Sequence, residues 1–194
     1  KTMKHQSVPS RTAARGEGES IWASSLRVAA AVARQAVSSE ADVLRAVSEE
    51  LRRLKLLGTV TLLTPEGHLE VIFPSLSRSA QSTLQRITGL EITHYRFDPD
   101  KVDIYREVLA SGEARFTADR ATVVRQIMPA AVRPLLPRVM HILGDQPVIV
   151  APLLLGDQPL GTINATAAWL TPEDVPMVAA FAAHVAIALG HVRN

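Results

Sequence analysis

The sequence predicts an α/β (α+β) fold, an antiparallel sheet closed by a long helix. Three observations carry that reading. The stretch PVIVAPLLLGDQPLGTINATAAW reads as a β-hairpin. Val148 to Leu155 is β-branched and apolar, Gly156-Asp157-Gln158-Pro159 supplies turn chemistry, and Leu160 to Ala168 runs back. A helix with a marked start follows at once. Thr171 occupies the N-cap, Pro172 the first helical position, and Glu173 and Asp174 meet the positive end of the dipole. Val178, Phe181, Val185, Leu189 and Val192 then recur at helical steps. Upstream, short apolar runs alternate with short periodic segments punctuated by Gly and Pro.

Taken in order, residues 1–20 mix Ser, Pro, Gly and charge without periodicity and read as a flexible linker, with one folded unit over residues 21–194. The initial Lys suggests a piece of a longer chain. An Ala-rich stripe through Leu26, Ala29, Ala30, Val32, Ala33 and Val37 marks a first helix suited to close approach by another. Ser39 caps a second, which runs through Val43, Val47, Leu51 and Leu54 and is expected to end at Gly58. Thr59–Leu63 and His68–Phe73 read as strands around a type I turn at Thr64-Pro65-Glu66-Gly67. Ser75–Thr88 is a polar helix ending at Gly89 and is expected to lie outside. Leu90–Phe97 reads as a third strand or extended segment, and Val102–Ala110 as a helix closed by Ser111-Gly112. Ala121–Leu143 has helical period but is interrupted by Pro129, Pro134 and Pro137, so two or three short pieces are expected.

The motifs quoted so far resemble a known family. Ala151-Pro152-Leu153-Leu154, the turn, Leu160-Gly161-Thr162-Ile163, Leu170-Thr171-Pro172-Glu173-Asp174 and Phe181 to Ala188 are similar to the C-terminal half of a GAF domain. Tyr105 to Asp119 looks like the family's middle segment, and the likeness spans roughly Ser20 to Val192. It implies a GAF/PAS-like central antiparallel sheet with the terminal helices on one face and a lid, here Ala121–Leu143, on the other. It also implies a cytoplasmic sensory module in bacterial two-component signalling, ahead of an output domain such as a histidine kinase. The alternative is a dimerisation module whose pocket is filled by its own side chains.

Composition narrows the options. The 194 residues hold 21 Lys/Arg and 19 Asp/Glu; the small excess lies in residues 1–20, and no basic face recommends a nucleic-acid partner. There is no Cys, which excludes disulfides, thiolate chemistry and the thioether by which phytochrome-type members attach a bilin. No apolar run approaches the ~20 residues of a membrane span, so no membrane contact by this segment is expected. The six histidines lack a zinc-binding spacing, and neither a nucleophile elbow nor a phosphate loop is present, so neither a catalytic nor a metal residue is assigned and no enzyme activity is expected.

A binding cavity is the better reading. In the strand Gly161–Ala168, Ile163, Ala165 and Ala167 point one way and Thr162, Asn164 and Thr166 the other. In the fold the resemblance implies, the polar set faces the lid, flanked by Tyr95, Arg96 and Tyr105, while Arg125, Met128 and Arg133 come from the lid itself. These nine are the candidate ligand residues. The animal cyclic-nucleotide signature of the family is absent, since Ala165 follows Asn164 and Trp169 replaces its Phe. The partner is thus an unidentified small molecule, with no cofactor named. A homodimer is expected through the Ala-rich stripe and an unfinished apolar face at Val185, Leu189 and Val192. Gly190, inside the apolar period, is expected to act as a soft joint in a helix that continues toward the output module.

Overall fold

The computed structural model describes residues 39–74 and 76–193. The expected linker and the Ala-rich first helix lie outside the described residues. The rest folds as six antiparallel strands in the order β3-β2-β1-β6-β5-β4. These are β1 (Leu57–Leu63), β2 (Leu69–Pro74), β3 (Arg96–Phe97), β4 (Arg115–Thr117), β5 (Val148–Leu155) and β6 (Gln158–Thr166). The expected hairpin forms the centre of this sheet, with β6 paired to β5 on one side and β1 on the other.

The period-two pattern divides the sheet cleanly. Ile149, Ala151 and Leu153 of β5 and Ile163 and Ala165 of β6 pack against two helices, α1 (Glu40–Arg53) and the closing helix, numbered α6 (Val175–Arg193). The alternate residues Thr162, Asn164 and Thr166 face the opposite layer. That layer holds α2 (Arg78–Thr88), α3 (Asp103–Ser111), α4 (Arg120–Ile127) and α5 (Leu136–Leu143). α4 and α5 are joined by a 3-10 turn over Ala130–Leu135. The proline-jointed stretch is therefore three pieces, as its prolines require.

Local chemistry sets the ends of the elements. The Ser39 hydroxyl accepts from the Asp42 amide at 3.3 Å, and the Thr171 amide donates to Asp174 Oδ2 at 2.8 Å in a capping box. Gly89 and Gly112 close α2 and α3 in the left-handed region, with φ of 71° and 70°.

Four expectations need correction. α1 ends at Arg53, not Gly58; Lys55 makes the reversal in the left-handed region with φ 55°. Gly58 lies inside β1, where a Cβ would collide with the Leu51 side chain and come within 3.1 Å of the Asn164 carbonyl oxygen. The third strand is only Arg96–Phe97, because His94 turns left-handed at φ 66° and breaks the extended run before it. α2 is not an outer helix, since its Leu84 is buried with Met128 and Val139.

The fourth correction concerns the closing helix. Residues Pro172–Arg193 are long and apolar enough to cross a membrane by length and composition. They are apolar because one side is packed on β5 and the other residues are mostly small. Val185 and Leu189 are fully buried against the sheet, so they form no open dimer face. The outward stripe is Ala183 and Ile187, the latter 49% exposed.

Candidate ligand-binding cavity

Between the sheet and the α2–α4–α5 layer lies a cavity of about 190 Å³. Its floor is polar by strand alternation. Thr59 stands opposite Asn164 and Thr61 opposite Thr162 across the β1–β6 pair, while Val148 stands opposite Thr166 across β5–β6. Thr59, Thr61, Asn164, Thr166 and Val148 all line the space. Its roof is apolar, formed by Leu84 of α2, Val124 of α4, Val139 of α5 and Met128 in the connection between them.

An aromatic wall closes one side. Tyr95 stacks on Phe97 with ring centres 6.5 Å apart, and Phe97 meets Tyr105 edge-on at 5.1 Å. The Tyr95 hydroxyl donates to the Ile127 carbonyl at 3.0 Å, tying the wall to the end of α4. Partial burial pushes its phenol above the usual tyrosine range. Tyr105 is 1% exposed, and burial raises its pKa from 10.0 to about 12.

The polar groups converge on Tyr105. Asn164 Nδ2 donates to the Tyr105 hydroxyl oxygen at 2.6 Å, while Asn164 Oδ1 is buried without a hydrogen-bond partner among the described residues. Amide oxygen and nitrogen have the same shape, so the side chain also fits reversed, with Oδ1 accepting the Tyr105 proton. In either orientation a donor is left over for the cavity: the Tyr105 O–H in the first, an Asn164 N–H in the second.

Arg120 stands at the same wall, in the first turn of α4 after the Asp119 N-cap. Its Nη1 donates to the carbonyl oxygens of Leu143 and Gly144, at 2.6 and 3.0 Å, which closes the exposed end of α5. Burial holds the guanidinium below the usual arginine range, opposed by the neighbouring Tyr105 and Asp145. It forms no carboxylate ion pair among the described residues.

Of the nine candidate residues, Tyr95, Tyr105, Met128, Asn164 and Thr166 line the cavity. Thr162 lies beside it, its hydroxyl paired with that of Thr61 at 2.7 Å in a buried cross-strand bond. The three arginines stand apart from the lining. His94 and Arg96 grip Glu70 at the sheet edge, each at 2.8 Å, and together, His94 foremost, lower its pKa. Arg125 is exposed. Arg133 is exposed and donates to the Met128 carbonyl at 3.2 Å, bracing the lid chain from outside. Sequence reasoning missed Arg120, Thr59, Thr61, Leu84 and Thr88. The alternation of Thr59, Val60, Thr61 and Leu62 was a readable sign that β1 presents hydroxyls to the same side as Asn164. Among the described residues no group of three His, Asp or Glu is placed to hold a metal ion.

The architecture matches known structures. The chain is similar to the GAF domain of a phosphoenolpyruvate-protein phosphotransferase from Coxiella burnetii, with a TM-score of 0.63, 14% identity, and 91% of this chain and 96% of that one covered. A GAF domain from an Acinetobacter phosphoenolpyruvate-protein phosphotransferase gives 0.60 at 10% identity over 89% and 93%. The phycocyanobilin-bound GAF domain of a cyanobacterial phytochrome gives 0.61 at 17% over 89% and 95%. No curated protein matches the sequence. The GAF domain family model matches residues 39–189, from the cap of α1 almost to the end of α6. A lidded cavity on one face of a six-stranded sheet, its terminal helices on the other and a family match over most of the chain together place this protein in the GAF domain family.

Proposed function

We propose that residues 21–194 form the sensory domain of a cytoplasmic bacterial signal-transduction protein, and that the cavity between sheet and lid takes up a small molecule. The observation that supports this most is the combination of about 190 Å³ of space with a buried amide oxygen, Asn164 Oδ1, that no group among the described residues satisfies. Such an orphan costs roughly 1–3 kcal/mol, and a ligand donor or a reversal of the amide would recover it. The space is smaller than the usual range of about 300–1,000 Å³ for ligand pockets, which favours a compact molecule over a tetrapyrrole. Among the nine candidates, the five that line the cavity are the proposed contacts, with Thr162 as their support.

Transmission would run through the other face. α1 and α6 lie side by side beneath the sheet strands that floor the cavity, and Arg193 Nε donates to Glu40 Oε2 at 3.0 Å between them. A shift of β1 or β6 on ligand binding reaches both helices and, through them, an output module such as a histidine kinase. The segment itself is regulatory rather than catalytic in this reading.

One observation favours a part for self-association as well. Ile187 and Ala183 give α6 an outward face of small and apolar side chains suited to a second copy. The domain would then act as a homodimer through its terminal helices.

Hydrogen exchange tests the sensory reading. Without ligand, residues 120–143 should exchange faster than β5, β6 and α6, and a small molecule that raises the melting temperature should slow the lid more than the sheet. A lid as protected as α6 and indifferent to every binder would instead identify a sealed structural core.

A further inference from the structure

Among the described residues the cavity lining has a single cation, Arg120, and its environment specifies a ligand chemistry. The guanidinium is partly buried, and its Nη1 is occupied by the Leu143 and Gly144 carbonyls. That leaves Nε and Nη2 without a partner among the described residues. A cation partly withdrawn from water gains from an anion or from further hydrogen bonding. Two main-chain carbonyls at a helix end supply only part of that gain. On the same wall Asn164, turned so that its orphan Oδ1 accepts the Tyr105 proton, satisfies that oxygen and presents its N–H as a further donor. Donors therefore gather at one place; Asp145 lies near the guanidinium, but no carboxylate among the described residues is bonded to it, so an anion is the partner they lack.

The rest of the lining sets the body of the ligand. Leu84, Ile92, Val124, Met128 and Val139 are apolar, so the remainder of the molecule must be apolar as well. A cavity of about 150 Å³ lined by such residues holds benzene, so about 190 Å³ accommodates one ring, or an alkyl group of similar bulk, plus a carboxylate. Among the described residues the lining contains one carboxylate, Glu91, which is exposed, and no second cation. A second negative charge on the ligand would have no partner there.

We infer that the ligand is a small organic monocarboxylate of about the size of benzoate, its carboxylate held by Arg120 with the Tyr105–Asn164 pair and its apolar body against α2, α4 and α5. This rests on the cavity being the sensory site. The geometry gives Arg120 two connected tasks. One edge of its guanidinium holds the end of α5 in the lid, and the other receives the anion. Ligand binding and lid position are thereby coupled through one side chain.

The test uses three probes of nearly equal size on the whole chain by calorimetry: benzoate, benzamide and toluene. Benzoate should bind roughly 10- to 100-fold more tightly than benzamide, as expected for a charge-assisted bond replacing a neutral one. In Arg120→Met that ratio should collapse toward one. Because this change also releases the end of α5, Tyr105→Phe provides a second variant with the Arg120 brace intact, and there the ratio should fall by a smaller factor. Equal binding of benzoate and benzamide by the unaltered chain would overturn the acid assignment while leaving a ligand cavity in place. A ratio preserved in both variants would overturn the role of this wall. If none of the three probes binds, the monocarboxylate assignment falls, while the sensory reading still stands or falls on the hydrogen-exchange test of the lid.

Discussion

Replacing Tyr105 by Phe isolates the polar centre of the cavity. At neutral pH the change removes the Asn164–Tyr105 hydrogen bond, which has a length of 2.6 Å. It leaves a second unpaired group on a buried amide, so it should cost about 1–2 kcal/mol. The alkaline limb is more diagnostic. Burial raises the folded-state pKa of Tyr105 from 10.0 to about 12, so the folded state resists ionisation that the unfolded chain accepts freely. Stability from this group is fully present below pH 10 and is lost as pH rises toward 12. At about 1.4 kcal/mol per pH unit over two units, the loss comes to roughly 3 kcal/mol. Urea denaturation followed by circular dichroism, at intervals from pH 8 to pH 12, measures it in both proteins. The unaltered protein should begin more stable and then lose stability faster, so that the two curves cross near pH 11. Parallel curves would mean that the Tyr105 hydroxyl is not sequestered from water, and the buried Tyr105–Asn164 centre would be refuted.

Two glycine substitutions should behave oppositely. At Gly161 a Cβ would overlap the Thr61 carbonyl oxygen and lie 2.8 Å from Leu62 Cα, both backbone atoms of the paired strand. Gly161→Ala must therefore part β6 from β1 at the centre of the sheet, and should cost more than about 3 kcal/mol in urea denaturation; a loss under 1 kcal/mol would show that the strands are not so closely apposed. At Gly190 the colliding atoms are the tips of Leu155, at 2.7 and 2.8 Å, on a hairpin turn where that residue is 37% exposed and has room to swing. Since Ala gains up to about 1 kcal/mol over Gly within a helix, Gly190→Ala should change stability by less than about 1 kcal/mol in the same assay, whereas a large loss would show that the hairpin tip is held rigidly.

Those two positions also show what the sequence could and could not tell. The hairpin was legible because its strands alternate and its turn residues are specific, and β6 kept the two faces that the alternation assigned. The closing helix was legible from Thr171, Pro172 and Asp174, whose chemistry is local. The lid's division followed from its prolines. Features set by neighbours distant in sequence were not legible. Gly190 reads as a weak point in a helix, yet it is buried where Leu155 packs on it. Gly58 reads as a helix stop, yet α1 turns at Lys55 and Gly58 is needed for the approach of Leu51. α2 looks like an outer helix because only one of its residues, Leu84, is buried, and it is that residue which reaches the cavity. Arg120 was passed over because an arginine in a first helical turn is ordinarily solvated. Its burial comes from the end of α5, 23 residues later.

The claim that the cavity exists to hold a small molecule is tested most directly by filling it. Val139 is 4% exposed on α5 and lines the cavity, so Val139→Phe should place its ring in the empty space. The variant should fold and lose no more than about 1 kcal/mol, because the added apolar surface enters a void rather than packed core. Thermal-shift screens of both proteins against the same library of small metabolites and organic acids then give the answer. The account predicts at least one compound that raises the melting temperature of the unaltered protein and leaves that of the filled variant unmoved. Compounds that stabilise both proteins equally, or none that stabilises either, would contradict it.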